Sequence, residues 1–414
     1  MADIGVLKER VQREIDEIAP LLTECSDWMA DNPEIGLQEY QASARLAKML
    51  EESGADVERG IAQMPTAFLA KLPGNVSGSA SQPTIALLAE YDALPGVGHG
   101  CGHNIIANAA IGAGMALSRL GRSGELDDLP GKVTVIGTPA EESAVPGAGG
   151  KIDILEHGYF DDVDAAIMIH PFNHDYIAPG TMTAYGIDFE FHGKPAHAAF
   201  DPDQGINALD AVIQTFVNVG LLRQQVRSQA RIHGVVTNGG GTPNVIPPFA
   251  SCRFRIRSFD VAYGEELKRR VVACAEGAAL ATGAKLEWHD YVKPYLSYLP
   301  NGVLGGVLKA NMAAVGRAVE HEDSEEAYAS TDFGNVSQVL PTSYAYFAIC
   351  GDEVGWHSKE VAEATRTERG HAALVAAAKT LAMSTLDLLG DHDLIAHAKR
   401  EHQTRAEKAL KSAH

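Results

Sequence analysis

Cationic residues are scarce in this chain. Lys and Arg number 34 against 54 Asp and Glu, a formal net charge of −20 over 414 residues. Nucleic-acid and anionic-membrane surfaces are met by basic patches, so neither partner is expected. Cysteine is scarce too. Five residues, an odd number at scattered positions (Cys25, Cys101, Cys252, Cys274, Cys350), do not form a disulfide framework, and a reducing, cytoplasmic compartment fits them. The N-terminal stretch MADIGVLKERVQREIDE lacks the apolar core of a signal peptide. No apolar run is read as approaching the length of a membrane span. Internal repeats and long low-complexity segments are lacking as well. What remains is a soluble globular composition, and the length favours two domains.

Leu7, Val11, Ile15, Ile18 and Leu22 recur at helical spacing and predict an opening amphipathic helix. A second helix in YQASARLAKMLEESG stops at Gly54. The stretch LPGNVSGSASQP reads as a loop. Short apolar runs follow, IALLA (85–89), VTVIG (133–137), AAIMI (165–169) and later YAYFAI (344–349), separated by helical stretches such as NIIANAAIGAGMALSRL. This alternation predicts an α/β domain with a mostly parallel sheet and helices on both faces. Residues 184–293 differ. Their order β-α-β-β-α-β predicts an inserted ferredoxin-like α+β domain. The outer domain is then discontinuous, 1–183 plus 294–414.

Polar, metal-competent side chains follow the predicted strands. Glu90 and Asp92 come after IALLA, Glu141 and Glu142 after VTVIG, His170 after AAIMI, and His357 a few residues past YAYFAI. Ligands of open α/β sheets bind at that carboxyl edge. The loop GHGCGHN adds Cys101 and His103 just before a helix, a position expected to lower the thiol's pKa. Taken singly, each has a plainer reading: Cys101 as a small core residue, Glu141 and Glu142 as a solvated helical turn, the histidines as turn or surface residues. Together, thiolate, imidazole and carboxylate suit zinc or a neighbouring transition metal. Of two adjacent carboxylates, one can bind metal while the other takes a proton from water. Asp92 suits a supporting role, accepting a hydrogen bond from a ligand imidazole.

The strings EYDALPGVGHGCGHN, GTPAEES, GGKIDIL, MIHP, STDFGNVS and WHS, in that order along nearly the whole chain, resemble the di-metal aminoacylase and amidohydrolase family of metallopeptidases. Its aminobenzoyl-glutamate hydrolase and β-alanyl-lysine dipeptidase branch is the most similar in wording. The resemblance implies hydrolysis of an amide bond in a small N-acyl amino acid or dipeptide. It implies two divalent ions, zinc first, with manganese, nickel or cobalt as alternatives. Cys101 would bridge them, with His103, His170, Glu142 and His357 as further ligands and Glu141 as general base. The inserted domain would act as a lid and form a homodimer. His197, in GKPAHAA, would stabilise the oxyanion from the partner subunit. Asn244 and Arg257 match positions that bind a substrate carboxylate, and a strand-face salt bridge is the plainer reading of Arg257. The glycine-bearing stretch 179–186 is a candidate hinge for lid opening. His99 is expected outside the ligand set, and the role of Glu90 stays open.

Two other readings compete. Cys101 could be a nucleophile in a metal-free amidohydrolase, with His103 or a distant histidine as base. Alternatively the chain could be an inactive relative that binds without turnover, although it keeps Glu141.

Overall fold

The computed structural model describes residues 3–74, 82–319, 326–327 and 329–411, so the middle of the predicted loop LPGNVSGSASQP lies outside the described residues. The chain divides into two compact units. One comprises Met1–Gly180, Tyr298–Ala327 and Thr331–Glu407, and the other is built on Thr181–Ser297.

The first unit opens with α1 (Ile4–Asp31), capped by Asp3, whose carboxylate accepts from the backbone N–H of Gly5 at 2.9 Å. The five predicted apolar positions are all buried. Helix α2 (Tyr40–Ser53) ends at Gly54, which takes φ 106° as a left-handed cap. Then come β1 (Asp56–Arg59), β2 (Phe68–Lys71), β3 (Thr84–Glu90), α3 (His103–Arg122), β4 (Lys132–Thr138), α4 (Gly150–Glu156), β5 (Ala165–Phe172), β6 (Tyr176–Ile177) and the two-residue β7 (Gly180–Thr181). The sheet order is β1-β2-β4-β3-β5-β13-β6, where β13 is Thr342–Ala348 near the far end of the chain. The four central strands β4, β3, β5 and β13 run parallel, and β1, β2 and β6 add antiparallel edges. Strands β3 and β13 are buried at every residue, as expected of parallel strands covered on both faces. His170 was expected just past its strand. It lies inside β5, because pairing with β13 continues to Phe172 opposite Ala348.

The second unit contains β8 (Thr183–His192), α5 (Ala208–Leu222), β9 (Arg231–Asn238), β10 (Phe249–Ser258), α6 (Val261–Thr282) and β11 (Lys285–Tyr295). Its antiparallel sheet has the order β11-β8-β10-β9, the ferredoxin-like arrangement. Alternate residues of β8 and β10 point to one face. Ile187, Phe189, Phe191, Cys252, Phe254 and Ile256 are fully buried in a core of their own beneath α5 and α6. The units divide at 180/181 and 297/298 rather than at 184 and 293, since β8 and β11 each extend past the apolar run visible in sequence.

The remaining elements are α7 (Gly302–Ala314), the two-residue β12 (Glu326–Ala327), α8 (Phe333–Ser337), α9 (Lys359–Ala364), α10 (Glu368–Gly390) and α11 (His392–Lys411). Helix α10 corrects one expectation: at 23 residues it is long and apolar enough to cross a membrane. Most of it is buried here. It packs against α1, α3 and α7 as a core helix, which explains why it is apolar nearly all round.

Phe254 is fully buried, with the Phe216 ring of α5 at 4.8 Å. Phe254→Ala is expected to cost about 3–5 kcal/mol through lost burial and the cavity left behind. A denaturant titration followed by far-UV circular dichroism checks this; a loss below about 1 kcal/mol would mean that the Phe254 site collapses freely.

Candidate active site

The carboxyl ends of β3, β4 and β5 deliver most of the predicted residues to one place. β3 ends at Glu90 and hands on to Asp92. β4 ends at Thr138, before Glu141 and Glu142. β5 carries His170. The loop after β3 returns Cys101 and His103 at the start of α3. Gly102 makes that return possible. Its φ is 78°, and a Cβ there would strike the Pro171 ring beside His170. The turn into Glu141 is also forced. Ala140 sits at φ 55°, its N–H donates to Glu39 Oε1 at 2.8 Å, and its carbonyl accepts from Gly149. His357 joins from the other end of the chain at φ 62°, its N–H donating to the Gly100 carbonyl at 3.1 Å.

Two groups of potential ligand atoms share one residue. Cys101, His103 and His170 form one, and Cys101, Glu142 and His357 form another, the atoms in each lying within 4.8 Å of one another. His103, Glu141 and Glu142 form a third such group. Ring orientations are fixed from behind. His103 Nδ1 is 3.0 Å from Asp92 Oδ1, while Asp92 Oδ2 accepts the Glu142 N–H at 3.0 Å. Asp92 thus holds both an imidazole and the backbone of the neighbouring carboxylate. His170 Nδ1 lies 2.7 Å from the Pro171 carbonyl, which keeps its proton there and leaves the Nε2 lone pair facing Cys101 Sγ at 3.6 Å. His357 Nε2 lies 3.5 Å from Glu142 Oε1. The indole N–H of Trp356 donates to Cys101 Sγ at 3.4 Å.

The electrostatics are those of a site with too much negative charge. Burial pushes Glu141 well above the usual carboxylate range, and Glu90, Glu142 and Asp332 push it further. Glu142 is raised by burial as well, against the pull of His103. For Cys101 the expected lowering by the helix terminus is overturned: burial and the Glu142 carboxylate drive the thiol up, outweighing the partial charge of α3. His170 is depressed to about 4 by burial, which leaves the imidazole neutral and able to ligate. Burial opposes charge on His103 too, but Cys101 and Asp92 overcome it and hold the ring well above its ordinary pKa. Among the described residues no hydrogen bond reaches the buried His103 Nε2 or Glu142 Oε1. Unpartnered nitrogen and oxygen beside a thiol, under this excess of negative potential, fit divalent cations.

Four contributors escaped the sequence reading. Lys151 Nζ lies fully buried, 2.7 Å from Glu90 Oε1 and 2.5 Å from Asp332 Oδ1. Its partners hold the ammonium well above its usual pKa despite burial. Glu90, whose role was open, is therefore the carboxylate between Lys151 and His103, with Oε2 3.5 Å from His103 Nε2. Glu39 and Trp356 are the other two. Lys151, Asp332 and Trp356 sit in the strings GGKIDIL, STDFGNVS and WHS, but no spacing in the sequence marks them as partners. His99 lies outside all three groups; it is buried, and burial with the nearby His103 depresses it to about 3.

The three remaining predicted residues belong to the second unit. His197 is exposed, and its Nδ1 accepts backbone N–H groups of Ala199 and Phe200, each at 3.2 Å. That pins the neutral tautomer with the proton on Nε2, pointing a donor outward. The exposed Asn244 is tied to the same loop, its carbonyl accepting from the Ala198 N–H at 3.0 Å. Arg257 donates to Ser330 Oγ at 2.7 Å and has no carboxylate partner among the described residues. Burial and the adjacent Arg255 depress its pKa, and both also depress His233 on the paired strand β9. The salt-bridge reading of Arg257 thus finds no partner, and this strand face favours an anion.

The sequence profile of Peptidase family M20/M25/M40 matches residues 86–383. A mouse Xaa-Arg dipeptidase is 32% identical over 413 residues, covering 98% of this chain and 94% of its own length. A chain of the p-aminobenzoyl-glutamate hydrolase from Escherichia coli is 30% identical, with 92% of each sequence covered. Among solved structures, a Bacillus subtilis protein described as a dinuclear metal binding peptidase of the M20 family superposes with a TM-score of 0.66 at 22% identity, over 91% of this chain and 99% of that one.

Burial and Asp92 raise Glu39 to about 8 from an ordinary 4.5. Between those values the folded chain keeps a proton that the unfolded chain releases. The contribution of Glu39 to stability is therefore full below about pH 4.5 and lost as pH rises through 8. Glu39→Gln keeps an acceptor for the Ala140 N–H and removes the titration. It is expected to gain stability relative to wild type between pH 5 and 8, by a few kcal/mol. Urea midpoints of both proteins across that range measure it; parallel pH profiles would contradict the shift.

Proposed function

The chain belongs to peptidase family M20/M25/M40, and we propose that it cleaves N-acyl amino acids or dipeptides bearing a free carboxylate, with Glu141 as general base. It is a metal-dependent hydrolase of amide bonds. The observation that carries the site assignment is the sharing of Cys101 between two ligand groups, with Glu141 buried alongside. Two divalent ions are the cofactors in this reading, zinc first, then manganese, nickel or cobalt. Cys101 would belong to both, His103 and His170 to one, Glu142 and His357 to the other. Such ions, when bound, polarise a carbonyl and make water more acidic.

The chain's own residues account for the proton. Glu141 takes a proton from the attacking water onto its carboxylate and later delivers it to the leaving nitrogen. Its raised proton affinity suits the second half of that task, since a carboxyl that binds its proton firmly can hold it until the nitrogen becomes basic. Against burial, Lys151 and His103 hold Glu90 below its ordinary pKa, while burial raises Asp332 to about 6 despite the pull of Lys151. His197 Nε2–H would donate to the carbonyl oxygen as negative charge develops there. Arg257 and the Asn244 amide would bind the substrate carboxylate, supported by a guanidinium that has no carboxylate partner among the described residues and sits in a cationic strand face. A cysteine nucleophile is the weaker reading, because it leaves Glu141, Glu142, His170 and His357 without a role in the groups they form with Cys101 and His103.

The unit built on Thr181–Ser297 would serve as lid and as homodimer interface. On α5, Ile213, Val217 and Leu221 are exposed at 52%, 48% and 69%, one apolar stripe at intervals of four. Edge strand β9 adds exposed Val235 and Val236. A second copy would cover both the stripe and the open edge. A cytoplasmic location belongs to the same proposal, supported by five cysteines that form no disulfide.

Glu141→Gln is expected to lower kcat by about 10²–10⁴-fold with metal content unchanged. Cys101→Ala should lose both metal and activity. Elemental analysis and amide hydrolysis on the same samples test the pair. A metal-free wild type that still hydrolyses would sink the assignment. Val217→Glu is expected to turn a dimer into a monomer in light scattering; a wild type that is monomeric at assay concentration would refute the dimer.

A further inference from the structure

Trp356 adjoins the site without belonging to any ligand group, yet it touches Cys101, a residue that two of the groups share. Its Nε1 lies 3.4 Å from Cys101 Sγ, a contact spanning 255 residues of sequence. An indole N–H can only donate, and sulfur here can only accept from it. The ring plane is held by Phe172, with centroids 4.8 Å apart, and by His170 at 6.2 Å. The next residue adds a second tie, the His357 N–H to the Gly100 carbonyl at 3.1 Å. Two hydrogen bonds thus join residues 356–357 to residues 100–101. Between them they set Cys101 against His357, which share a ligand group with Glu142. His357 pays for its place with φ 62°, a strained value for a residue with a side chain that persists only where its surroundings impose it.

We propose that Trp356 is a positioning residue acting through Cys101: its N–H holds the sulfur in one rotamer and draws electron density from the thiolate when that thiolate is a metal ligand. This rests on the reading of Cys101 as a shared ligand. A sulfur shared by two cations and bonded to Cβ keeps one lone pair, and an N–H donor can occupy it without displacing either ion. With a thiolate as acceptor the hydrogen bond is charge-assisted. It also weakens donation from sulfur, leaving more positive charge on the ions. The same contact therefore bears on metal affinity and on the electronic character of the site.

The test replaces Trp356 by Phe, which keeps an aromatic ring against Phe172 and removes only the donor. Wild type and Trp356→Phe are loaded with Co²⁺, and the sulfur-to-cobalt charge-transfer band and the dissociation constant against a competing chelator are read together. Loss of the N–H raises the energy of the sulfur lone pair. The band is expected to move to longer wavelength, and affinity to fall about tenfold, the lower end of what lost supporting contacts cost a metal site. Lower affinity with an unmoved band would reduce Trp356 to packing and overturn the proposal. A wild type that binds cobalt with no such band would instead overturn Cys101 as a ligand, and this inference with it. Should Trp356→Phe not fold, wild type loaded with ¹¹³Cd and labelled with ¹⁵N-Trp serves. A correlation between the Trp356 indole proton and cadmium through Sγ supports the bond, and its absence from a spectrum that shows the other metal-coupled protons refutes it.

Discussion

The first unit is organised around an excess of buried negative charge at the carboxyl edge of its parallel sheet. Glu90, Asp92, Glu141, Glu142 and Asp332 all lie within that buried edge, with Cys101 among them. Carboxylates taken out of water together cannot all stay ionised unless cations compensate them. Lys151 is the permanent part of that compensation, buried between Glu90 and Asp332. His103, held by Asp92, supplies another part. What is left uncompensated appears as raised proton affinities at Glu141, Glu142 and Cys101, the groups a divalent cation would relieve. The same imbalance that makes the site costly to fold makes it selective for cations.

Holding such a set together requires close backbone approaches, and the chain is strained where they occur. Ala140 and His357 take positive φ without being glycine, at the two turns that bring in the Glu141–Glu142 pair and the distant histidine. Each has a reason nearby. Glu39 accepts the Ala140 N–H, and the Gly100 carbonyl accepts the His357 N–H. Gly36 leaves room for the first turn, since a Cβ there would lie 2.9 Å from that of Ala140. These contacts come from α1–α2 and the β3–α3 loop, so the whole first unit, and not one loop, determines the site's geometry.

The second unit follows a different logic. Its sheet is antiparallel with a core of its own, and the exposed His197 and Asn244 and the half-buried Arg257 lie outside that core. His197 is prepared as a donor by two backbone N–H groups on its other nitrogen. Arg257 donates to Ser330 and meets no carboxylate among the described residues, within a cationic strand face.

Much was legible in the sequence, because it depended on neighbours along the chain. Short apolar runs located the parallel strands, which are covered on both faces, and local pattern gave the β-α-β-β-α-β order. The clustering of Cys101 with His103 and of Glu141 with Glu142 could be read off because the members of each pair lie within two residues of each other. The long-range partners could not. Lys151 and Asp332 are 181 residues apart, Cys101 and Trp356 are 255 apart, and nothing in either local string names the other. The thiol's proton affinity was misjudged for a related cause. The sequence showed the helix terminus beside Cys101, but only the fold brought the carboxylates and the burial that outweigh it. The sequence by itself determined which chemical groups would be available and on which strand ends they would stand. The tertiary structure decided which of them share a cavity, and hence which are charged, because desolvation and Coulomb interaction depend on distance through space and not along the chain.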